Sequence, residues 1–437
     1  MKKTIQKIAV VFIFSILNLN AQDRNVVWVH GLDGNASSWE HYNQIFDDEL
    51  TEFTNASSLR TTYPTGNGIT HSADSVINSM NNYYGTSGAD QAHNSRNLGI
   101  GHSMGGLMIR EADHLRDNQT KNFGGYITVT SPNYGAPISN SLLDGSVERA
   151  AENACNKIAD GPLSQLFPLP WGIVSNLATN VLCDTFIDND LVQGLKGTPV
   201  TNNDLRVGSQ TINAINDYET NLPRISIWAE ENSPVHWRMI SSMLHGNDTQ
   251  FVNTVNTARG VYNGFYVYNT SLAVVTGVLG FWNPFAWGAT ALYGYRATQW
   301  KKGRNWVDDS ENIWSSLIKT TRREPQTYWV NTWIPCAYPP RIEVQQKSAK
   351  RDPDEDCGEW KWVQRTRYIS VNYPSDGLLP QYTQELQDIP FGNRYKVNGA
   401  NHLEVRNMTT DGNGVDETAV EFRRIFNRIP GDFFRTN

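Results

Sequence analysis

Asn97-Leu98-Gly99-Ile100-Gly101-His102-Ser103-Met104-Gly105-Gly106 is the stretch whose reading decides the fold. Leu98 to Ile100 is short and apolar. Met104, Leu107, Met108, Ile109 and Ala112 then repeat at helical spacing. Between the two patterns stands G-x-S-x-G. A serine held on a sharp strand-to-helix turn has its hydroxyl lifted clear of the backbone, and only small neighbours tolerate so tight a turn. A bare five-residue match arises often by chance, and the alternative is a glycine-rich turn with an idle serine. The strand before it and the helix after it supply the context that a nucleophile elbow requires.

Similar strands lie to either side. Asn25-Val26-Val27-Trp28-Val29 runs into His30-Gly31-Leu32-Asp33-Gly34; Tyr126 to Thr130 is a third strand and Arg224 to Ala229 a fourth. Runs apolar throughout and bounded by glycine read as strands buried on both faces of a parallel sheet. Tyr368 to Val371 is either a further strand or the lead into the following loop. Val420, Ile425, Phe426 and Ile429 give a closing helix. Strands alternating with helices predict an α/β fold with a mostly parallel, doubly wound sheet. Two spans break the rhythm and read as large insertions. Residues 138–223 are a lid candidate, and residues 236–366 form an aromatic-rich second cap. Gly260 to Tyr295 carries no charge, but Asn283-Pro284 and several glycines interrupt it. It therefore reads as a buried or surface-active helical pair, and no transmembrane anchor is expected.

The chain has 437 residues, 39% of them hydrophobic and 19% charged, enough to bury a core. Its net charge of −7 lacks the clustered Lys/Arg that nucleic-acid binding needs. Lys2, Lys3 and Lys7 precede an apolar run from Ile8 to Leu17, and Leu19-Asn20-Ala21 offers a small-residue cleavage site. Residues 1–21 thus read as a signal peptide for export, leaving residues 22–437 as the mature domain. Four cysteines in an exported chain suggest two disulfides. Proximity pairs Cys155 with Cys183 and Cys336 with Cys357, although three pairings exist.

A nucleophilic serine needs an oxyanion hole, a base and an orienting acid. The residue after the nucleophile, Met104, offers one backbone N–H. His30-Gly31 after an early strand places the N–H of Leu32 as the second. Of nine histidines, only His236, His245 and His402 follow the serine at any distance. His402 lies in a polar, glycine-containing loop before the closing helix, while His102 reads as structural. Asp376, in Pro374-Ser375-Asp376-Gly377-Leu378, is the preferred acid, with Glu230 and Glu231 as alternatives.

His30-Gly31-Leu32-Asp33-Gly34, Gly101-His102-Ser103-Met104-Gly105-Gly106, Thr130 to Pro137, Ser375-Asp376-Gly377-Leu378 and Asn401-His402-Leu403-Glu404 together resemble the ordered blocks of secreted bacterial triacylglycerol lipases. They are also similar to related hydrolases of the inositol-deacylase-like group. The resemblance implies the α/β-hydrolase fold, Ser103, Asp376 and His402 as catalytic residues, Leu32 and Met104 as the oxyanion hole, and an acyl ester or lipid as substrate. It implies no required cofactor. Many such lipases hold a structural Ca²⁺ through an acid two residues after the histidine, a place taken here by Glu404 instead of the usual Asp. A short-chain carboxylesterase, a polyester hydrolase or an amidase would share these residues. A non-catalytic binding protein on the same scaffold is the rival of a different class. Nothing in the sequence fixes the oligomeric state.

Overall fold

The computed structural model describes residues 25–43, 58–85, 97–116, 121–150, 198–231, 301, 305, 309, 311–335, 358–406 and 416–428. The expected signal peptide, all four cysteines, the uncharged stretch 260–295, His236 and His245 lie outside them. Among the described residues no helix is long and apolar enough to cross a membrane.

Six strands form one sheet: β1 Asn25–Val29, β2 Ser58–Arg60, β3 Asn97–His102, β4 Gly125–Val129, β5 Arg224–Glu230 and, late in the chain, β8 Arg394–Asn398. Their order is β2-β1-β3-β4-β5-β8, with every pair parallel. Alternation along β1 explains the two layers. Val26 and Trp28 face one side and meet Phe422, Ile425 and Phe426 of α7 Glu417–Arg428. Val27 and Val29 face the other and meet α1 Ile69–Tyr84 and α2 Met104–His114. Burying each of these large side chains contributes about 1.5–3 kcal/mol.

The structure redraws several sequence boundaries. α7 turns Ala419, Phe422, Ile425 and Phe426 inward and leaves Val420 exposed, one step off the expected stripe. Between β4 and β5, after α3 Pro137–Leu143, lie α4 Pro199–Leu205 and α5 Gln210–Asp217. Leu205, Ile212 and Ile215 join the core beside α1 and α2, so the last part of the span expected as the first insertion contributes two helices to the core. Trp314, Leu317 and Ile318, inside the second expected insertion, likewise pack with α3 and Leu379. α4 and α5 carry only two or three apolar residues each among polar ones, too few to show a helical stripe in the sequence.

Residues 321–373 form a separate compact unit. It is an antiparallel ribbon of β6 Thr321–Pro335 and β7 Gly358–Asn372, registered from Thr321 against Asn372 to Pro335 against Gly358. Tyr368 to Val371 therefore belongs to this ribbon and not to the sheet.

Candidate active site

Ser103 sits between β3 and α2 with φ 54° and ψ −129°, a conformation rare for a residue with a Cβ. The turn persists because its neighbours leave no other path. A Cβ on Gly101 would lie 2.5 Å from the Gly105 carbonyl carbon and the Gly106 nitrogen; one on Gly105 would lie 2.3 Å from the Val29 carbonyl oxygen. Gly106 presses against Ser131, which donates from Oγ to the Gly101 carbonyl. The Ser103 N–H donates to the Val129 carbonyl at 2.9 Å, tying the elbow to β4.

Residues 31–34 make a tight turn against the serine. The Gly34 N–H donates to the Gly31 carbonyl at 3.1 Å, and Asp33 takes the positive φ (54°) that the third turn position needs. A Cβ on Gly31 would lie 2.7 Å from the Ser103 Cβ. Leu32 is the second residue of that turn. Met104 is the first residue of α2, where an N–H has no acceptor within the helix and the helix dipole is positive. His30 is buried, stacks on Tyr63 with ring centroids 4.2 Å apart, and receives the Tyr63 hydroxyl on its carbonyl.

His402 and Asp376 arrive on separate loops. Its Nε2 lies 2.8 Å from Ser103 Oγ, and its Nδ1 lies 2.6 Å from Asp376 Oδ2. Asp376 is wholly buried and His402 is 3% exposed. The other Asp376 oxygen accepts the N–H groups of Leu378 and Leu379 at 2.9 and 2.7 Å, so the carboxylate has no freedom to swing. Gly377 makes the turn at φ 87°, and the His402 N–H donates to the Asp376 carbonyl at 2.8 Å. Neither sequence alternative takes this place. The Glu230 carboxylate pairs with Lys396, and Glu231 meets the loop through its N–H on the Ser375 carbonyl.

His102 contributes from beneath. Its Nε2 is 2.7 Å from the His402 carbonyl, which makes it the donor and fixes the loop that carries His402. Burial pushes the His102 pKa well below its ordinary 6.5, and the nearby His402 and Arg406 push the same way. Burial, with help from Arg406, also lowers His30. Both rings are thus neutral at neutral pH.

Two supports have no sequence signal. Gln384, wholly buried at the end of α6 Gln381–Gln384, accepts the Ala229 N–H on Oε1 at 3.0 Å and donates from Nε2 to the Leu379 carbonyl at 2.6 Å, joining the end of β5 to the Asp376 loop. Trp314 donates from Nε1 to the Gly377 carbonyl at 2.6 Å. A third support was legible. Asn401 Oδ1 accepts the Leu403 and Glu404 N–H groups, and Glu404 Oε2 accepts the Asn401 N–H, a reciprocal cap written in the sequence as Asn-x-x-Glu.

Glu404 is also the residue at the expected calcium position. The Glu404 carboxylate holds the His402 loop, and among the described residues no three His, Cys, Asp or Glu side chains gather as metal ligands.

A parallel sheet with helices on both faces and a serine elbow at the carboxyl end of β3 is the α/β-hydrolase fold. Residues 20–146 match the family model described as "Putative serine esterase (DUF676)". That segment holds the Leu32 turn and the elbow but neither Asp376 nor His402. No curated protein matches the chain. Among solved structures, it is similar to the phospholipase PlaB from Legionella pneumophila, at 13% identity over 52% of this chain and 42% of that one, with a TM-score of 0.32. The chain spans about two fifths of that phospholipase's length. It is also similar to an epoxide hydrolase from Bacillus megaterium, at 11% identity over 53% and 82% of the two chains (TM-score 0.24). The rice cell wall degrading esterase LipA from Xanthomonas oryzae is 11% identical over 53% and 70% (TM-score 0.22).

Proposed function

We propose that the protein is an exported serine hydrolase that cleaves acyl esters, with lipid esters as its substrate class. The single observation that supports this most is the unbroken relay from Ser103 Oγ through both nitrogens of His402 to the buried Asp376. Ser103 Oγ attacks the ester carbonyl carbon while His402 Nε2 takes its proton. Asp376 keeps the Nδ1–H tautomer and stabilises the imidazolium. Negative charge gathers on the carbonyl oxygen, where the N–H groups of Leu32 and Met104 hold it, helped by the positive end of α2. The imidazolium returns the proton to the leaving alcohol. Water, deprotonated by the same histidine, then releases the acid from the acyl-enzyme. The lipid preference rests on the motif blocks shared with secreted lipases, and export rests on residues 1–21.

Ser103→Ala is expected to lower kcat for p-nitrophenyl esters by about 10⁶-fold and to abolish labelling by a fluorophosphonate. Near-wild-type turnover in that variant would sink the assignment. A series of ester chain lengths tests the finer reading, because turnover confined to two- to four-carbon acyl groups removes the lipid substrate.

A further inference from the structure

The ribbon of β6 and β7 has two chemically different faces. Side chains alternate along a strand, and the register sets Pro325 opposite Tyr368, Trp329 opposite Gln364, Asn331 opposite Trp362 and Trp333 opposite Trp360. Four tryptophans and a tyrosine therefore stand on one face. Trp329 is 62% exposed, Trp360 65%, Trp362 66% and Tyr368 71%. The rings of Trp333 and Trp360 meet edge to face, 5.7 Å between centroids. Arg323 is the one charged residue on this face. The other face carries Arg322, Lys361, Arg365 and Arg367 against Glu324 and Glu359. Across both strands, five basic residues outnumber two acidic ones, a net of +3 on a chain whose net charge is −7.

A row of exposed indoles larger than scattered surface residues marks an interaction site, and a two-stranded ribbon gains little stability from leaving one face uncovered in water. Indole, apolar but with one N–H, prefers the boundary between water and hydrocarbon. Basic side chains on a ribbon only two strands wide can reach around its edges to phosphate groups on the same side as the indoles. Neutral sugars also stack on indoles, but they offer nothing to the excess of positive charge.

We propose that this ribbon docks the protein on an anionic phospholipid surface, with the tryptophan face at the headgroup boundary and the basic side chains on lipid phosphates. The purpose of such docking rests on the lipid-ester reading above; the binding itself does not need catalysis. The test therefore uses the full chain carrying Ser103→Ala, floated with vesicles of dioleoylphosphatidylglycerol or dioleoylphosphatidylcholine. The expected result is binding to the first, at least tenfold weaker binding to the second, and loss of binding in 0.5 M NaCl. Trp329→Thr with Trp362→Thr should weaken binding to the anionic vesicles at least tenfold, with thermal unfolding unchanged. If that pair does not fold, Lys361→Gln with Arg365→Gln decides instead, by weakening it at least threefold. No binding to anionic vesicles, undiminished binding in the folded variants, or retention on insoluble cellulose or chitin in place of vesicles would overturn the proposal. An inactive enzyme that still floats, or an active one that does not, separates this proposal from the esterase reading.

Discussion

The serine corner and the ribbon are held in opposite ways. At the corner, Gly31, Gly101, Gly105 and Gly106 each lie where a Cβ would come within 2.7 Å of a neighbouring atom. Those neighbours come from distant segments: β1, the loop after β4, and the elbow itself. The ribbon is built from one local pairing of fifteen residues with fifteen, and its side chains reach mostly into solvent. Constraint from many directions can keep a serine at a positive φ that it would not adopt alone. Constraint from one direction leaves the surface chemistry free to vary while the backbone stays the same.

The contrast fails first, if it fails, at Gly105. An added methyl would meet the carbonyl oxygens of Val29 and His30 at 2.3 and 2.4 Å, and neither can retreat without moving β1. Gly105→Ala is expected to cost more than the ~1–3 kcal/mol of ordinary overpacking. Thr327→Ala, at an exposed ribbon position, is expected to change stability by no more than about 0.5 kcal/mol. Urea unfolding of both variants measures the difference. Equal costs would mean that the corner relaxes as easily as the ribbon.

The same contrast explains what could be read from the sequence. β1, β3, β4 and β5 are buried on both faces along most of their length, so each is a mostly apolar run that announces itself. The elbow adds glycines whose spacing only a tight turn explains. β2 is three half-buried residues, Ser-Leu-Arg, at the sheet edge, and β8 reads Arg-Tyr-Lys-Val-Asn, so neither has such a run. α1 has the helical stripe Ile69, Ala73, Val76, Ile77, Met80, but it starts after Gly68 at φ 86° with no side-chain cap to mark it. The ribbon sets its rings beside both polar and β-branched residues, and nothing local says whether the rings face a core or water. Asp376 and His402 were legible because a glycine turn and the Ser-acid-His order restrict where they can stand. Gln384 was not, because its partners lie 155 residues upstream and five residues back, and only the folded chain brings them together.

Gln384 gives a middle-sized test of how far constraint reaches from the serine. Gln384→Met keeps the volume but leaves the Ala229 N–H and Leu379 carbonyl without the amide that joins them. The expected cost is about 1–3 kcal/mol of stability. Because Leu379 also donates to Asp376, kcat for soluble esters should fall with KM little changed. A drop in stability with kcat unaltered would make Gln384 part of the core and not of the positioning of Asp376.

The smallest expected effect separates the two regions by pH. His102 and His30 have folded pKa values below 6.5, held there chiefly by burial. Unfolding releases both to ordinary values, so below pH 6.5 the unfolded chain binds protons that the folded chain refuses. The stability they allow is therefore complete above pH 6.5 and is lost as pH falls toward each folded pKa, at about 1.4 kcal/mol per pH unit for each group. His102 has the wider window because its pKa is lowered further. The ribbon contains no histidine and has no such dependence between pH 5 and 7. Urea unfolding at pH 7.5 and 5.5 should show the acid loss. In His102→Gln, whose amide can still donate to the His402 carbonyl, the loss should shrink by one group's share. An unchanged pH difference in that variant would mean that the acid sensitivity arises elsewhere, and that the corner's buried imidazole takes up its proton without opening the fold.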